Sequence, residues 1–212
     1  MAIAHVHDKG EKMKWTTNIS PLIKEIELRK NPVIVRVNKF DEEAATKFNL
    51  EMAQAHNTGQ KIIPIVIDSY GGQVYSLMAM VSAIKHAELP IATIVEGKAM
   101  SCGAILFSFG DEGMRFMDPN ATVMIHDVSS WEYGKVEEIK ASADETDRLN
   151  KLVYTHMARN CGKKDDYFLK LVHKKGHADW YLNAEDSKKH GLANHLRIPK
   201  FHIDISVDID FE

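Results

Sequence analysis

An α/β fold is what this sequence predicts, and three observations carry the prediction. Short apolar, β-branched runs alternate with helix-period segments from Pro32 to His126. Such repeated strand, helix, strand units imply right-handed crossovers onto a largely parallel sheet. The run Ile62 to Ile67 has no polar alternation, as expected of a strand covered on both faces. A helical pattern from about Val136 to Arg159 is longer than a compact domain of this size needs, so it is expected to project.

The elements follow in order. Val33 to Val37 reads as a strand, and Asp41 precedes an alanine-rich helix reaching about His56. After the apolar strand comes a turn, Asp68-Ser69-Tyr70-Gly71-Gly72. The helix Val74 to Ala87 follows, with Val74, Leu77, Met78, Val81 and Ile84 on one face. Ile91 to Val95 is the next strand. A loop, Gly97 to Met100, enters an apolar helix from Ser101 to about Phe109, and Met114 to Met117 and Thr122 to His126 read as short strands. Beyond the long helix lie a helix from Asp165 to about Lys174, the segment Trp180-Tyr181-Leu182, and a short helix ending before Gly191. From Phe201 to Phe211 apolar and polar residues alternate, the signature of a half-buried strand with one acidic face.

Composition narrows the function classes. The chain has 212 residues, 44% hydrophobic and 27% charged, close to the average of soluble globular domains, which excludes wholesale disorder and fibrous repeats. A net charge of −3 gives no basic excess, so nucleic acid is not an expected partner. The weakly polar stretch Ala99 to Gly110 is well short of the ~20 residues that span a bilayer, so no membrane partner is expected either. No signal-peptide pattern opens the chain. Cys102 and Cys161 form no CxxC pair and no disulfide framework, consistent with free thiols in a reducing, cytoplasmic compartment. The expected organisation is a flexible N-terminal arm over 1–20, one folded domain over 21–198 and a C-terminal strand extension over 199–212.

Several residues could carry chemistry. Consecutive glycines at 71 and 72 open a helix, where their N–H groups suit an oxyanion or a phosphate, or simply make a tight turn. Ser101 heads an apolar helix among the small residues Ala99, Gly103 and Ala104, as an approachable hydroxyl or as a plain N-cap. His126 ends a strand, as a general base or as a polar edge residue. Spacing alone does not bring it to Ser101. His173 and His177 lie four apart and could share a helix face, as could His5 and His7 on a strand, but neither pair has a third ligand nearby. No metal site and no cofactor are therefore expected. The glycines match neither a Walker A loop nor a GxGxxG fingerprint.

Three segments together resemble the proteolytic subunit of the Clp protease, ClpP: Ile65 to Gly72, Gly97 to Ala104, and Pro119 to His126. Members of that family read like SPGG, GxAxSxGA and PNxxVMIHQ in this order. The spacings also fit, with 29 positions from Gly72 to Ser101 and 25 from Ser101 to His126. Tyr181-Leu182-Asn183-Ala184 and Gly191-Leu192 look like the family's FLSA and GL, so the likeness covers roughly Val33 to Leu196.

The resemblance implies a ClpP/crotonase-like β-α spiral with a projecting handle helix, and makes 21–198 a ClpP-like peptidase domain. It further implies Ser101 as nucleophile, His126 as base, and the N–H groups of Gly72 and Cys102 as the oxyanion hole. The expected activity is that of a serine endopeptidase acting through an acyl-enzyme on peptides or unfolded proteins. The expected assembly is a homo-oligomeric ring, a heptamer or a stacked tetradecamer, enclosing the active sites. Two other readings remain open: a noncatalytic ring subunit, and a crotonase-type acyl-CoA enzyme using the same oxyanion turn.

The chain departs from the family pattern at several positions. Tyr70 stands where the family has proline, and Asp127 where it usually has glutamine. The residues that form the family's axial pore are not recognisable before Pro32, so the resemblance does not carry dependence on an AAA+ unfoldase over to this chain. The family's third triad residue, an aspartate, falls on Lys175. A cation there would repel the imidazolium, and Asp179, two residues before Tyr181, is the expected replacement; a surface position at a helix-to-strand corner is its other reading.

Overall fold

The computed structural model describes residues 13–15, 26–28 and 32–200. Two short strands, β1 (Met13–Trp15) and β2 (Ile26–Leu28), pair antiparallel, so the expected arm contributes a strand. The main sheet contains β3 (Val35–Val37), β4 (Ile63–Ser69), β5 (Ile91–Met100), β6 (Arg115–Met117), β7 (Thr122–Ile125) and β8 (Trp180–Leu182). Its order is β3-β4-β5-β7-β8, with β6 also pairing β5. Every pairing is parallel except that of β8 with β7. The alternating α/β pattern read from the sequence is therefore the observed architecture, in a mixed sheet.

Helix α1 (Glu42–Ala55) starts where Asp41 accepts a hydrogen bond from the Ala44 N–H at 2.8 Å, and it buries Ala45, Phe48, Met52 and Ala55. Helix α2 (Val74–Lys85) turns Leu77, Met80 and Val81 into the core. Helix α3 (Cys102–Phe107) is buried throughout, in keeping with its unbroken apolar sequence. Arg115 is also buried. It donates to the carbonyls of Gly110, Gly191 and Leu192, which ties the C-terminal segment to the sheet.

One expected boundary is corrected. Gly97 to Met100, read as a loop, continues β5, because that strand changes partner along its length. Thr93 to Val95 pair with Arg115 to Met117, and Lys98 to Met100 pair with Thr122 to Met124. The second ladder satisfies backbone groups that the glycine and lysine seemed to leave outside a sheet.

Helix α4 (Val136–Asn160) has 25 residues and is about 37 Å long at 1.5 Å per residue. None of its residues before Leu149 is buried, whereas Leu149, Val153, Tyr154, Met157 and Ala158 are. Half of the helix thus packs on the domain and half stands in solvent, as expected of a handle. Helices α5 (Tyr167–Lys174) and α6 (Ala184–Lys189) flank β8. No helix among the described residues is long and apolar enough to cross a membrane. The alternating segment from Phe201 to Phe211 lies outside the described residues.

Candidate active site

The sheet register assembles the site. Met100 pairs with Met124 across β5 and β7, so Ser101, one residue on, and His126, two residues on, emerge at the same sheet end. The Ser101 N–H donates to the Met124 carbonyl at 2.8 Å. Ile125 pairs with Trp180 across β7 and β8, which brings Asp179 opposite His126. Ser69 pairs with Ala99, which sets Gly71 and Gly72 beside Ser101 from the other side. Ligand sites at the carboxyl ends of parallel strands are a general feature of open α/β sheets.

Ser101 Oγ and His126 Nε2 are 2.8 Å apart, a hydrogen bond. Ser101 is the N-cap residue of α3 by position, but its side chain makes no capping bond. Ser101 instead sits at φ 54°, ψ −119°, a conformation that a residue with a side chain adopts only under strain. This sharp strand-to-helix elbow lifts the hydroxyl out of the sheet.

The two glycines are required for separate reasons. A Cβ on Gly71, at φ 104°, would lie 2.7 Å from Ser101 Cβ. One on Gly72, at φ 150°, would lie 2.4 Å from the Phe40 carbonyl oxygen. The Cys102 thiol donates to the Gly72 carbonyl at 3.2 Å, linking the two expected oxyanion donors across the site. Burial pushes that thiol up to about 11, so it is a neutral hydrogen-bond donor. Val74, Leu77, Ile105, Ile125 and Val153 line the cleft beside Ser101 and His126, giving it an apolar floor.

His126 is steadied by its own backbone, whose carbonyl accepts from the Tyr154 hydroxyl at 2.6 Å. Asp179 Oδ1 stands 3.8 Å from His126 Nδ1, within ion-pair range and beyond a hydrogen bond. The Tyr181 hydroxyl reaches the other carboxylate oxygen at 3.5 Å. Lys175 Nζ lies 5.3 Å from the centre of the Trp180 ring, which supplies a partner for the cation found at the family's aspartate position. Tyr70 is exposed and receives Lys98 over its ring at 4.5 Å.

One network went unread in the sequence. Asn150, on the packed half of α4, donates to Asp127 Oδ1 at 2.9 Å and accepts from the Val128 N–H at 3.0 Å. Asp127 Oδ2 receives His177 Nδ1 at 2.5 Å. Burial acts to raise the Asp127 pKa, but the hydrogen bonds from Asn150 and His177 outweigh it and hold the group below the ordinary carboxylate value. The available signal was Asn150 itself, a polar residue between the core positions Leu149 and Val153. The expectation for the histidine pair is corrected on two counts. His177 lies beyond the end of α5, and a third donor, Asp127, comes from 46 positions before His173.

The family model for Clp protease matches residues 18–198. The chain belongs to the Clp protease family. Among curated proteins, this Clp protease family member is similar to "ATP-dependent Clp protease proteolytic subunit 3" of Nocardia farcinica (strain IFM 10152), at 35% identity over 132 residues. That match covers 61% of this chain and 58% of the relative, so the chain spans little more than half of that protein's length. The mixed sheet, the handle and the elbow at Ser101 are thus features of a Clp protease family chain.

Proposed function

We propose that this chain is a serine endopeptidase whose nucleophile is Ser101. The observation that carries the reading is the 2.8 Å hydrogen bond from a strained, strand-end serine to His126 Nε2. In the proposed reaction Ser101 Oγ attacks the scissile carbonyl while His126 Nε2 takes the hydroxyl proton. The new carbon–oxygen bond leaves an oxyanion, held by the N–H groups of Gly72 and Cys102. His126 then returns the proton to the departing amine as the carbon–nitrogen bond breaks, forming the acyl-enzyme. Water, deprotonated by His126, attacks that ester, and Ser101 regains its proton as the acid product leaves. Asp179 favours the imidazolium through its charge, and the apolar cleft favours an uncharged aliphatic or aromatic side chain next to the cleaved bond.

The assembly belongs to the same reading. The exposed half of α4 carries Val136 and Ile139 at its start, with Trp131 and Tyr133 just before it, four exposed large apolar side chains within nine residues that suit contact with another protomer. A ring of this chain, a heptamer or a stacked pair of them, would cover it and enclose Ser101. Peptides or unfolded chains are then the substrates, the compartment is cytoplasmic, and an AAA+ unfoldase is a possible feeder. The organisation into an arm over 1–20, a peptidase domain over 21–198 and an extension over 199–212 is part of this proposal.

A fluorophosphonate probe tests the reading. Intact mass should increase by one adduct per chain, and Ser101→Ala should remove it. An assembled wild-type protein that stays unmodified would favour the noncatalytic subunit, and turnover of an acyl-CoA without labelling would favour the crotonase-type enzyme.

A further inference from the structure

The cluster Asp127, His173 and His177 lies outside the proposed peptidase chemistry. One donor atom from each of the three residues falls within 4.8 Å of the other two. The histidines do not meet through helical spacing. Helix α5 ends at Lys174, and the chain then reverses through two successive residues of positive φ, Gly176 at 74° and His177 at 61°. The reversal brings the His177 ring against that of His173 in a tilted contact, with centroids 4.3 Å apart. Holding a histidine in this region costs on the order of 1 kcal/mol, which a glycine would have avoided. The conformation therefore places an imidazole where a glycine would place none.

Asp127 is aimed at the same point. Asn150 holds Oδ1, and Oδ2 is left facing the histidines. A carboxylate oriented by an amide behind it is the usual arrangement around a metal ligand. We propose that Asp127, His173 and His177 bind one divalent transition-metal ion of the zinc class, which clamps the turn between α5 and β8 to the end of β7. Two imidazoles and one carboxylate select such an ion over calcium or magnesium, which prefer all-oxygen sites. Bonds of about 2.0 to 2.1 Å at tetrahedral angles need donors about 3.4 Å apart. All three donors already lie within 4.8 Å of one another, and the exposed histidine side chains can reach the tetrahedral spacing by rotating about χ1 and χ2, the His177–Asp127 pair opening from 2.5 Å. Water would complete the shell. Asp179 is two residues past His177, so a bound ion would restrict the segment that carries it.

The test uses the full chain with Ser101→Ala, stripped of metal, so that its outcome is independent of the peptidase reading. Titration with Co2+ should give an intensified visible absorption saturating at one equivalent, displaced by Zn2+. His173→Asn and Asp127→Asn should each weaken binding at least ~10-fold, since even outer-shell changes cost about 10- to 100-fold. Should Asp127→Asn unfold, His173→Asn, at an exposed position, carries the test alone. Zn2+ should also slow amide exchange over residues 173–180, and His173→Asn should abolish that protection. No saturable binding, or unchanged affinity and stoichiometry in His173→Asn, overturns the site. Binding without protection of the turn overturns the clamp.

Discussion

Asp179→Asn separates a weak electrostatic helper from a buried triad member. The substitution keeps shape and removes one negative charge 3.8 Å from His126 Nδ1. Two unit charges at that separation interact by about 1 kcal/mol in bulk water and about 4 kcal/mol at an effective dielectric of about 20. The Asp179 side chain is 50% exposed and that of His126 27%, so solvent screening moves the value toward the lower bound. About 2 kcal/mol of imidazolium stabilisation is a reasonable middle, equivalent to a loss of roughly 30-fold in kcat. The buried aspartate of a serine protease, which accepts a true hydrogen bond, is worth about 10⁴. Initial rates on a fluorogenic peptide with an apolar residue before the cleaved bond would measure the difference, with particle size checked alongside. Activity within 2-fold of wild type refutes any role for Asp179 and leaves a Ser101–His126 dyad. A loss approaching 10⁴ refutes the screened geometry, and means that the carboxylate moves in to accept a hydrogen bond from His126 in the working enzyme.

Other outcomes follow from the same structure. Gly71→Ala places a Cβ 2.7 Å from Ser101 Cβ, so fluorophosphonate labelling should fall by at least ~10²-fold, the scale of losing one oxyanion donor; labelling at the wild-type rate contradicts the elbow. Burial raises both Cys102 and Cys161 to about 11, so at pH 8 the thiolate fraction of each is about a hundredth of that of an unperturbed thiol at 9.0. Iodoacetamide should therefore modify neither in the native protein and both after unfolding, as counted by mass. Arg115→Met strands three carbonyls that now accept from a buried guanidinium; at about 1 kcal/mol or more for each, unfolding in urea should show a loss of about 3 kcal/mol or more. Ile139→Asp adds a charge to the exposed half of α4 and should shift light scattering from the size of the proposed ring toward smaller species while leaving the fold intact by circular dichroism.

Much of the fold was legible because local physics and tertiary structure agree. The β-branched runs, the Asp41 cap and the apolar face of α2 each specify an element from neighbouring residues alone, and the length of α4 announced a helix that packs only at one end. Where the sequence misled, a long-range partner was responsible. Gly97 to Met100 looks like a loop until β7 pairs with it.

The sequence by itself determined the residue types at the site and their order along the chain: the glycine pair, the serine set among small residues at the head of an apolar helix, and the histidine that closes a later strand. Those patterns depend on backbone conformation and close approach, which a glycine or an alanine declares locally. Tertiary structure alone decided the distances. The register of β7 against β5 brings His126 to Ser101, and the antiparallel return of β8 carries Asp179 to the far side of the imidazole. It also decided that Asp127 turns toward both Asn150 and His177, because a side chain's partner depends on which elements lie adjacent, and residues 23 to 50 positions apart carry no mark of that adjacency in their own spacing.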